Sequence, residues 1–290
     1  MGLHPDAAQW YEPYFIWDYY LGNGDDDVRT EEYVTQEIYR FIRREFERFK
    51  QKTGAKVVIE KSPENSFRIP FIRAIFPDAK WIHIIRDGRA VTSSIHKEWL
   101  KRKNIVQNRD LGDFLAVFLE MMSLQPFWRN RLQAIWFELK NMTSIRPQAL
   151  LNKSRWKGNI GWGVRFPGWQ NALSRHSQLQ FNALQWRKTV ERVQRDSRLV
   201  DPENWLEIKY EDMIQSSGAC FDEIFRFLGL TPCDAPIWDV LSDGSMAKWE
   251  KAFTPKQLEE IDEVIAPLQR RLGYYTEGCE AVAEKNGGLS

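Results

Sequence analysis

The chain has 290 residues, 43% of them hydrophobic and 28% charged, with a formal net charge of +1. Such values fit one globular domain, assigned to residues 1–275 with a disordered tail over 276–290, and they exclude nucleic-acid binding through bulk charge, so any basic site is local. Three cysteines without CxxC spacing exclude a zinc site and a disulfide framework, no run of about 18 apolar residues is present to span a membrane, and MGLHPDAAQWYEP lacks the basic and apolar stretches of a signal peptide, so a cytoplasmic location is expected.

Periodicity and breakers define the predicted elements. GNGDDD at 22–27 is an acidic loop. Tyr33, Val34, Ile38, Phe41, Ile42 and Phe49 recur at near-helical spacing and predict an amphipathic helix over 31–50, with Gly54 as its stop. KVVIE (56–60) predicts a short strand, residues 65–76 a helix closed by Pro77, KWIHII (80–85) a second strand and residues 88–101 a helix. Further helices are predicted over 110–140, 178–198, 217–228 and 255–272, with a third strand at WLEIK (205–209). NKSRWKGNIGWGVRFPGW (152–169) is a loop rich in glycine, tryptophan and arginine, and the thirteen tryptophans of the chain suit either core packing or a polar, glycan-like acceptor groove.

Short strands alternating with longer helices predict an α/β domain with a small parallel sheet, in which ligands sit beyond the carboxyl ends of the strands. Beyond those ends stand Lys61-Ser62-Pro63, Arg86-Asp87-Gly88 and Tyr210-Glu211-Asp212, a gathering of cations and hydroxyls. Arg86 can offer its planar fork to two phosphate oxygens. Gly88 permits a tight turn, the next helix points its first amides at the same region, and Ser94 can add a hydroxyl. The alternative pairs Arg86 with Asp87 or another carboxylate and leaves Ser94 as a filler.

EKSPENSFRIPFIRAIFPDAKWIHIIRDGRAVTSS resembles the central block of the sulfotransferases that use 3′-phosphoadenosine 5′-phosphosulfate: a Lys-Ser/Thr-Pro turn, a helix, FPDAKFI, then RDG or RNP with a serine eight residues after that arginine. WLEIKYEDMI with FDEIFRFLGL, and KWEKAFTPKQLEEIDEVIAPLQRRLGYY, are similar to the later strand, helix and C-terminal segment of that family. WGVRFPGW and LHPDAAQWYEPYFI resemble segments of its bacterial, tyrosylprotein-type and carbohydrate-type branches. The resemblance implies a P-loop-NTPase-like three-layer sandwich with a small central parallel sheet flanked by helices. The family's first strand and its P-K/R-S-G-T-T loop, which cradles the 5′-phosphosulfate, are not found in the sequence. The expectation is therefore a truncated product or a real loss of catalysis.

The resemblance also implies roles. Arg86 and Ser94 match the pair that binds the donor's 3′-phosphate, and Tyr210 lines the nucleotide pocket or covers the core as a turn residue. Glu12 stands where these branches place a carboxylate beyond the HP histidine and is the candidate base, its alternative being a loop carboxylate before Pro13. Lys61 approaches the donor's bridging oxygen or the acceptor, or else pairs with Glu60 or Glu64. Lys248 and Trp249 close over the adenine side. Trp156, Trp162, Arg165 and Trp169 shape the acceptor site or form a packed lid. No metal is implied, because sulfuryl transfer can rely on protein cations. The activity implied is sulfuryl transfer from 3′-phosphoadenosine 5′-phosphosulfate to a hydroxyl or amine, with a carbohydrate or peptide acceptor favoured; a non-catalytic relative acting by binding is the alternative, and a kinase-like enzyme with GxxxxGK[ST] a weaker third.

Overall fold

The computed structural model describes residues 4–21, 24–108, 132, 156, 159, 161–232 and 249–275. The helix expected over 110–140 (Leu132 apart), Lys248 and the tail expected from 276 lie outside the described residues.

Among the described residues are four five-residue strands: β1 (Ala7–Tyr11), β2 (Val57–Lys61), β3 (Trp81–Ile85) and β4 (Trp205–Lys209). β1 pairs with β2 and β3 with β4, both in parallel, with Tyr11 opposite Lys61 and Ile85 opposite Lys209. The expectation of parallel strands among helices holds. The single central sheet does not: among the described residues the strands form two separate two-stranded sheets, because β2 and β3 are not hydrogen-bonded to each other. The apolar residues of those two strands are correspondingly less covered than core strands usually are, with Val57, Val58, Ile59 and Ile82 half-buried and Ile84 exposed.

Among the described residues the helices are α1 (Tyr14–Trp17), α2 (Gln36–Thr53), α3 (Ile69–Ile75), α4 (Gly88–Asn108), α5 (Trp169–Arg175), α6 (Gln178–Asp196), α7 (Tyr210–Gln215), α8 (Ser217–Leu228) and α9 (Pro255–Arg271). α2 begins five residues later than its periodicity predicts. Thr35 caps it by accepting from the Ile38 amide, and residues 31–33 form a separate 3-10 turn. The helix expected over 65–76 is divided into a 3-10 turn at 63–67 and α3, since Pro70 has no amide to carry a helix through Arg68. β1 is the strand that the residue pattern does not predict: AAQWY has no β-branched residue, and its strand conformation comes from pairing with β2.

Side chains alternate across the strands and meet helices on both faces. Trp10 packs with Phe41, Ile42 and Phe49 of α2 and Phe71 and Ile75 of α3, with Ala8, Val58 and Trp81 against that cluster. On the other side Ala7, Ile208, Val57, Ile59, Ile82 and Leu206 meet Phe221, Ile224 and Phe225 of α8. α6 packs on α9 through Val190, Ile261, Ile265 and Leu268.

The acidic loop and the tryptophan-rich loop join in a buried ionic knot. Asp27 and Arg165 are buried, and Asp27 accepts from the Arg165 backbone amide at 2.7 Å and from its guanidinium at 2.8 and 3.2 Å. Arg165 also donates to the Gly24 and Asp26 carbonyls, and Trp169 donates its indole N–H to the Asp25 carbonyl. Nearby, buried Arg68 pairs with Asp18 at 2.9 Å. Buried charges persist only where they are paired and hydrogen-bonded, and both conditions are met here. Asp27→Ala strands the Arg165 guanidinium inside the protein and is expected to cost about 3 kcal/mol or more of stability. Urea unfolding measures this; a loss within the range of a surface substitution would contradict it.

Candidate functional site

Each parallel strand delivers a predicted site residue just beyond or at its carboxyl end. β1 leads to Glu12, β2 ends on Lys61, β3 leads to Arg86 and β4 to Tyr210. Because Tyr11 stands opposite Lys61 in the ladder, the carboxylate at 12 falls beside the ammonium at 61, and the two pair at 2.8 Å. Lys61 thus pairs with Glu12 where a bond to Glu60 or Glu64 was the alternative. Burial lowers the Lys61 affinity for its proton, but the hydrogen bond and charge of Glu12 outweigh this and hold Lys61 above the ordinary lysine range. Its ammonium also lies 5.6 Å from the centre of the exposed Tyr11 ring.

Glu12 has φ 43°, the one non-glycine residue with positive φ among the described residues. It stands before Pro13, whose ring disfavours the α region for its predecessor. Tyr14 donates to the Glu12 carbonyl at 2.8 Å around Pro13 (φ −77°, ψ 53°), which closes a tight inverse γ-turn. Strained backbone of this kind costs of order 1–3 kcal/mol and gathers at functional sites.

Across the other sheet, the Arg86 guanidinium lies over the Tyr210 ring, 4.3 Å from its centre. Asp87 is turned away. It takes three bonds from the Arg89 side chain, at 2.7, 3.1 and 3.2 Å, and one from Gln269, and it caps α4 by accepting from the Arg89 amide at 2.8 Å. The Gly88 amide donates to Gln269. The first amides of α4 are therefore engaged within the protein, contrary to the expectation that they face an anion. Arg89 in turn lies 4.2 Å from the Trp249 ring centre. Gly88 owes its place to packing, since a Cβ there would come within 2.8 Å of the Trp186 ring. Trp186 donates its indole N–H to the Arg86 carbonyl at 3.1 Å and so holds the backbone that aims Arg86. Ser94, in the second turn of α4, is exposed and donates to the Ala90 carbonyl at a long 3.3 Å. The buried serine is its neighbour Ser93.

The loop aromatics stand elsewhere. Trp156 and Trp169 are buried and pack edge to face, Arg165 is locked to Asp27, and Trp162 is half-buried with its carbonyl accepting from Trp99 and Gln185. The packed alternative describes them, because their charges and rings are spent inside.

In the sequence Glu60 stands out only as a partner for Lys61. In the structure its carboxylate accepts from Ser62 Oγ, Trp17 Nε1 and Asn65 Nδ2. Loss of hydration pushes its carboxyl up to about 7, against the donors Ser62 and Trp17 and the charge of Arg68, while Glu64 adds to the rise. A polar residue at a strand end, with Ser62 and Asn65 soon after it, is too common a pattern to mark it. Among the described residues no group of three or more His, Cys, Asp or Glu could hold a metal ion, and no helix is long and apolar enough to cross a membrane.

Comparison with known proteins adds kinship to this geometry. Residues 18–140 match the model of the Sulfotransferase family. The chain is 42% identical over 60 residues to the omega-hydroxy-beta-dihydromenaquinone-9 sulfotransferase Stf3 of Mycobacterium tuberculosis and of Mycobacterium bovis, a match covering 20% of this chain and 14% of those proteins. It is 22% identical over 217 residues to a Caenorhabditis elegans protein described as "Putative protein-tyrosine sulfotransferase", covering 74% of this chain and 64% of that one. Among solved structures it is similar to the sulfotransferase domain from the curacin biosynthetic pathway, with TM-score 0.44 and 10% identity over 79% of this chain and 68% of that one.

An unfolded glutamate titrates near 4.5, so between about pH 4.5 and 7 the folded protein holds the Glu60 proton that the unfolded chain has lost. The stability this group contributes is full below pH 4.5 and falls as pH rises to 7, by at most about 3 kcal/mol. Glu60→Gln is expected to remove that decline from the pH dependence of the urea midpoint. Equal slopes in variant and parent would place Glu60 in the ordinary glutamate range.

Proposed function

We propose, with residues 18–140 making this chain a member of the sulfotransferase family, that it transfers a sulfuryl group from 3′-phosphoadenosine 5′-phosphosulfate to a hydroxyl or amine, on a carbohydrate or peptide acceptor. The observation that carries this reading is the placement of Glu12 with Lys61 at the carboxyl ends of one parallel strand pair and of Arg86 with Tyr210 at those of the other. The names of the relatives support a hydroxyl acceptor, one being an omega-hydroxy compound and the other a tyrosine.

The donor supplies the sulfuryl group and a phosphate leaving group, and such loose in-line transfers need positioning, charge stabilisation and a base. Arg86, stacked on Tyr210 and with Asp87 engaged by Arg89, suits the dianionic 3′-phosphate, which Ser94 reaches with an exposed hydroxyl. Tyr210 lines the nucleotide side. Glu12 takes the acceptor's proton as the new bond to sulfur forms. Lys61, paired with Glu12 at 2.8 Å, neutralises the charge that develops on the leaving oxygen.

Calorimetric titration with 3′-phosphoadenosine 5′-phosphate tests the nucleotide side. Arg86→Ala is expected to weaken binding by roughly 1.5–3 kcal/mol, as for a lost charge-assisted contact, and Ser94→Ala by about 0.5–1.5 kcal/mol. Equal affinity of Arg86→Ala and its parent, or no binding by the parent, would overturn the assignment.

A further inference from the structure

We infer that Glu60 is the positioning residue of this site, its carboxylate holding the chain segments that carry Glu12 and Lys61 against each other. The consequence for catalysis rests on the proposed roles of that pair; the positioning itself rests on geometry.

Strand pairing sets the site only as far as Tyr11 and Lys61, the last partners in their ladder. Beyond it the two chain segments leave in different directions, one through Glu12 and Pro13 into α1, the other through Ser62 and Pro63 into the 3-10 turn. A single carboxylate is bonded to both. Glu60 Oε1 accepts from Trp17 Nε1 of α1 at 3.1 Å and from Ser62 Oγ at 2.5 Å, and Oε2 accepts from Asn65 Nδ2 of the 3-10 turn at 2.5 Å. α1 is tied in turn to Glu12 by the Tyr14 amide, and the 3-10 turn is closed by the Asn65 amide on the Ser62 carbonyl. The route from Glu12 to Lys61 through Glu60 thus runs through hydrogen bonds and short stretches of chain.

The same link bears on the strained backbone. A positive φ at a glutamate persists only where its surroundings over-determine it. Phe15, Ile16 and Trp17 bury α1, and the pair of Asp18 with Arg68 holds its far end. The directional bond from Trp17 to Glu60 adds a tie from the helix to the strand that carries Lys61.

Glu60 and Lys61 are successive strand residues, so their side chains leave on opposite faces. Glu60 therefore acts through the pair and is not itself a catalytic residue. The charged groups that bear on it are Arg68, held by Asp18, and Glu64, besides its sequence neighbour Lys61. An ionised carboxylate accepts all three donors without conflict, whereas a protonated one has to turn its own O–H toward one of them. The buried Ser62 hydroxyl is spent on Glu60, which gives the serine of the Lys-Ser-Pro turn a role inside the protein.

The Lys61 ammonium reports on the pair with no nucleotide or acceptor present. The full chain is reductively methylated with ¹³C-formaldehyde, the Lys61 resonance is assigned with Lys61→Arg, and its titration is followed by NMR. Lys61 is expected to titrate above the ordinary lysine range in the parent and to fall in Glu12→Gln. If Glu60 positions the pair, Glu60→Gln lowers the Lys61 titration by an amount comparable to Glu12→Gln, and the double variant lowers it little further. A parent-like Lys61 titration in folded Glu60→Gln would reduce Glu60 to a stability role and overturn the inference. Should Glu60→Gln not fold, Ser62→Ala and Asn65→Ala each remove one donor; smaller shifts in the same direction support the inference and unchanged titration of both sinks it. Failure of nucleotide binding would leave this result untouched, so the two readings fail separately.

Discussion

The site depends above all on the parallel direction of the strand pairs. Parallel strands finish on the same side, so residues far apart in sequence are brought together simply by standing at or one place beyond the end of a ladder. Glu12 and Lys61 are separated by α1, α2 and their connections, yet the opposition of Tyr11 and Lys61 brings their charges to 2.8 Å. The same rule stacks Arg86 on Tyr210 across β3 and β4. Slip either register by one residue and every side chain changes face, which would remove Trp10 from its core and the charges from their partners together.

Around these ends the protein uses its charged residues in two ways. Some are committed wholly to architecture. Asp27 with Arg165 and Asp18 with Arg68 are buried and clamp the acidic loop, the tryptophan-rich loop and the turn after β2 into one body. Asp87 and Arg89 belong here as well, since Asp87 caps α4 and ties it to Gln269 of α9. Others keep open faces at the strand ends: Lys61 is more than half exposed, Arg86 is half-buried over an aromatic ring and Ser94 is exposed. The neighbours Arg86 and Arg89 show the division. The second spends its guanidinium on the carboxylate between them, and the first lies over the ring of Tyr210.

Much of this is legible in the residue pattern. WLEIK forms a strand over the same five residues that its composition marks, and FDEIFRFL lies in a helix stopped by Gly229. Runs of β-branched residues and apolar repeats report local geometry directly. Hidden from the pattern is whatever depends on a distant partner. AAQWY carries no strand signal and becomes β1 by pairing. Gly88 reads as a turn glycine, whereas a tryptophan about a hundred residues later claims its space. The rings and arginine of GWGVRFPGW suit a binding loop in composition, and only burial against Asp27 and Phe181 assigns them to the interior.

The sequence by itself therefore determined the alternation of short strands with helices, the placement of cations and hydroxyls at strand ends, and the spacing of Arg86 and Ser94. These are short-range properties, set by backbone preference and side-chain period over a few residues. The tertiary structure alone decided that the strands stand as two pairs, that Lys61 meets Glu12, that Asp87 serves Arg89 and Gln269, and that Glu60 joins α1 to the turn after β2. Those outcomes belong to long-range contacts: which carboxylate meets which cation depends on the packing of segments that the chain itself keeps tens to nearly two hundred residues apart, and no local pattern encodes the choice.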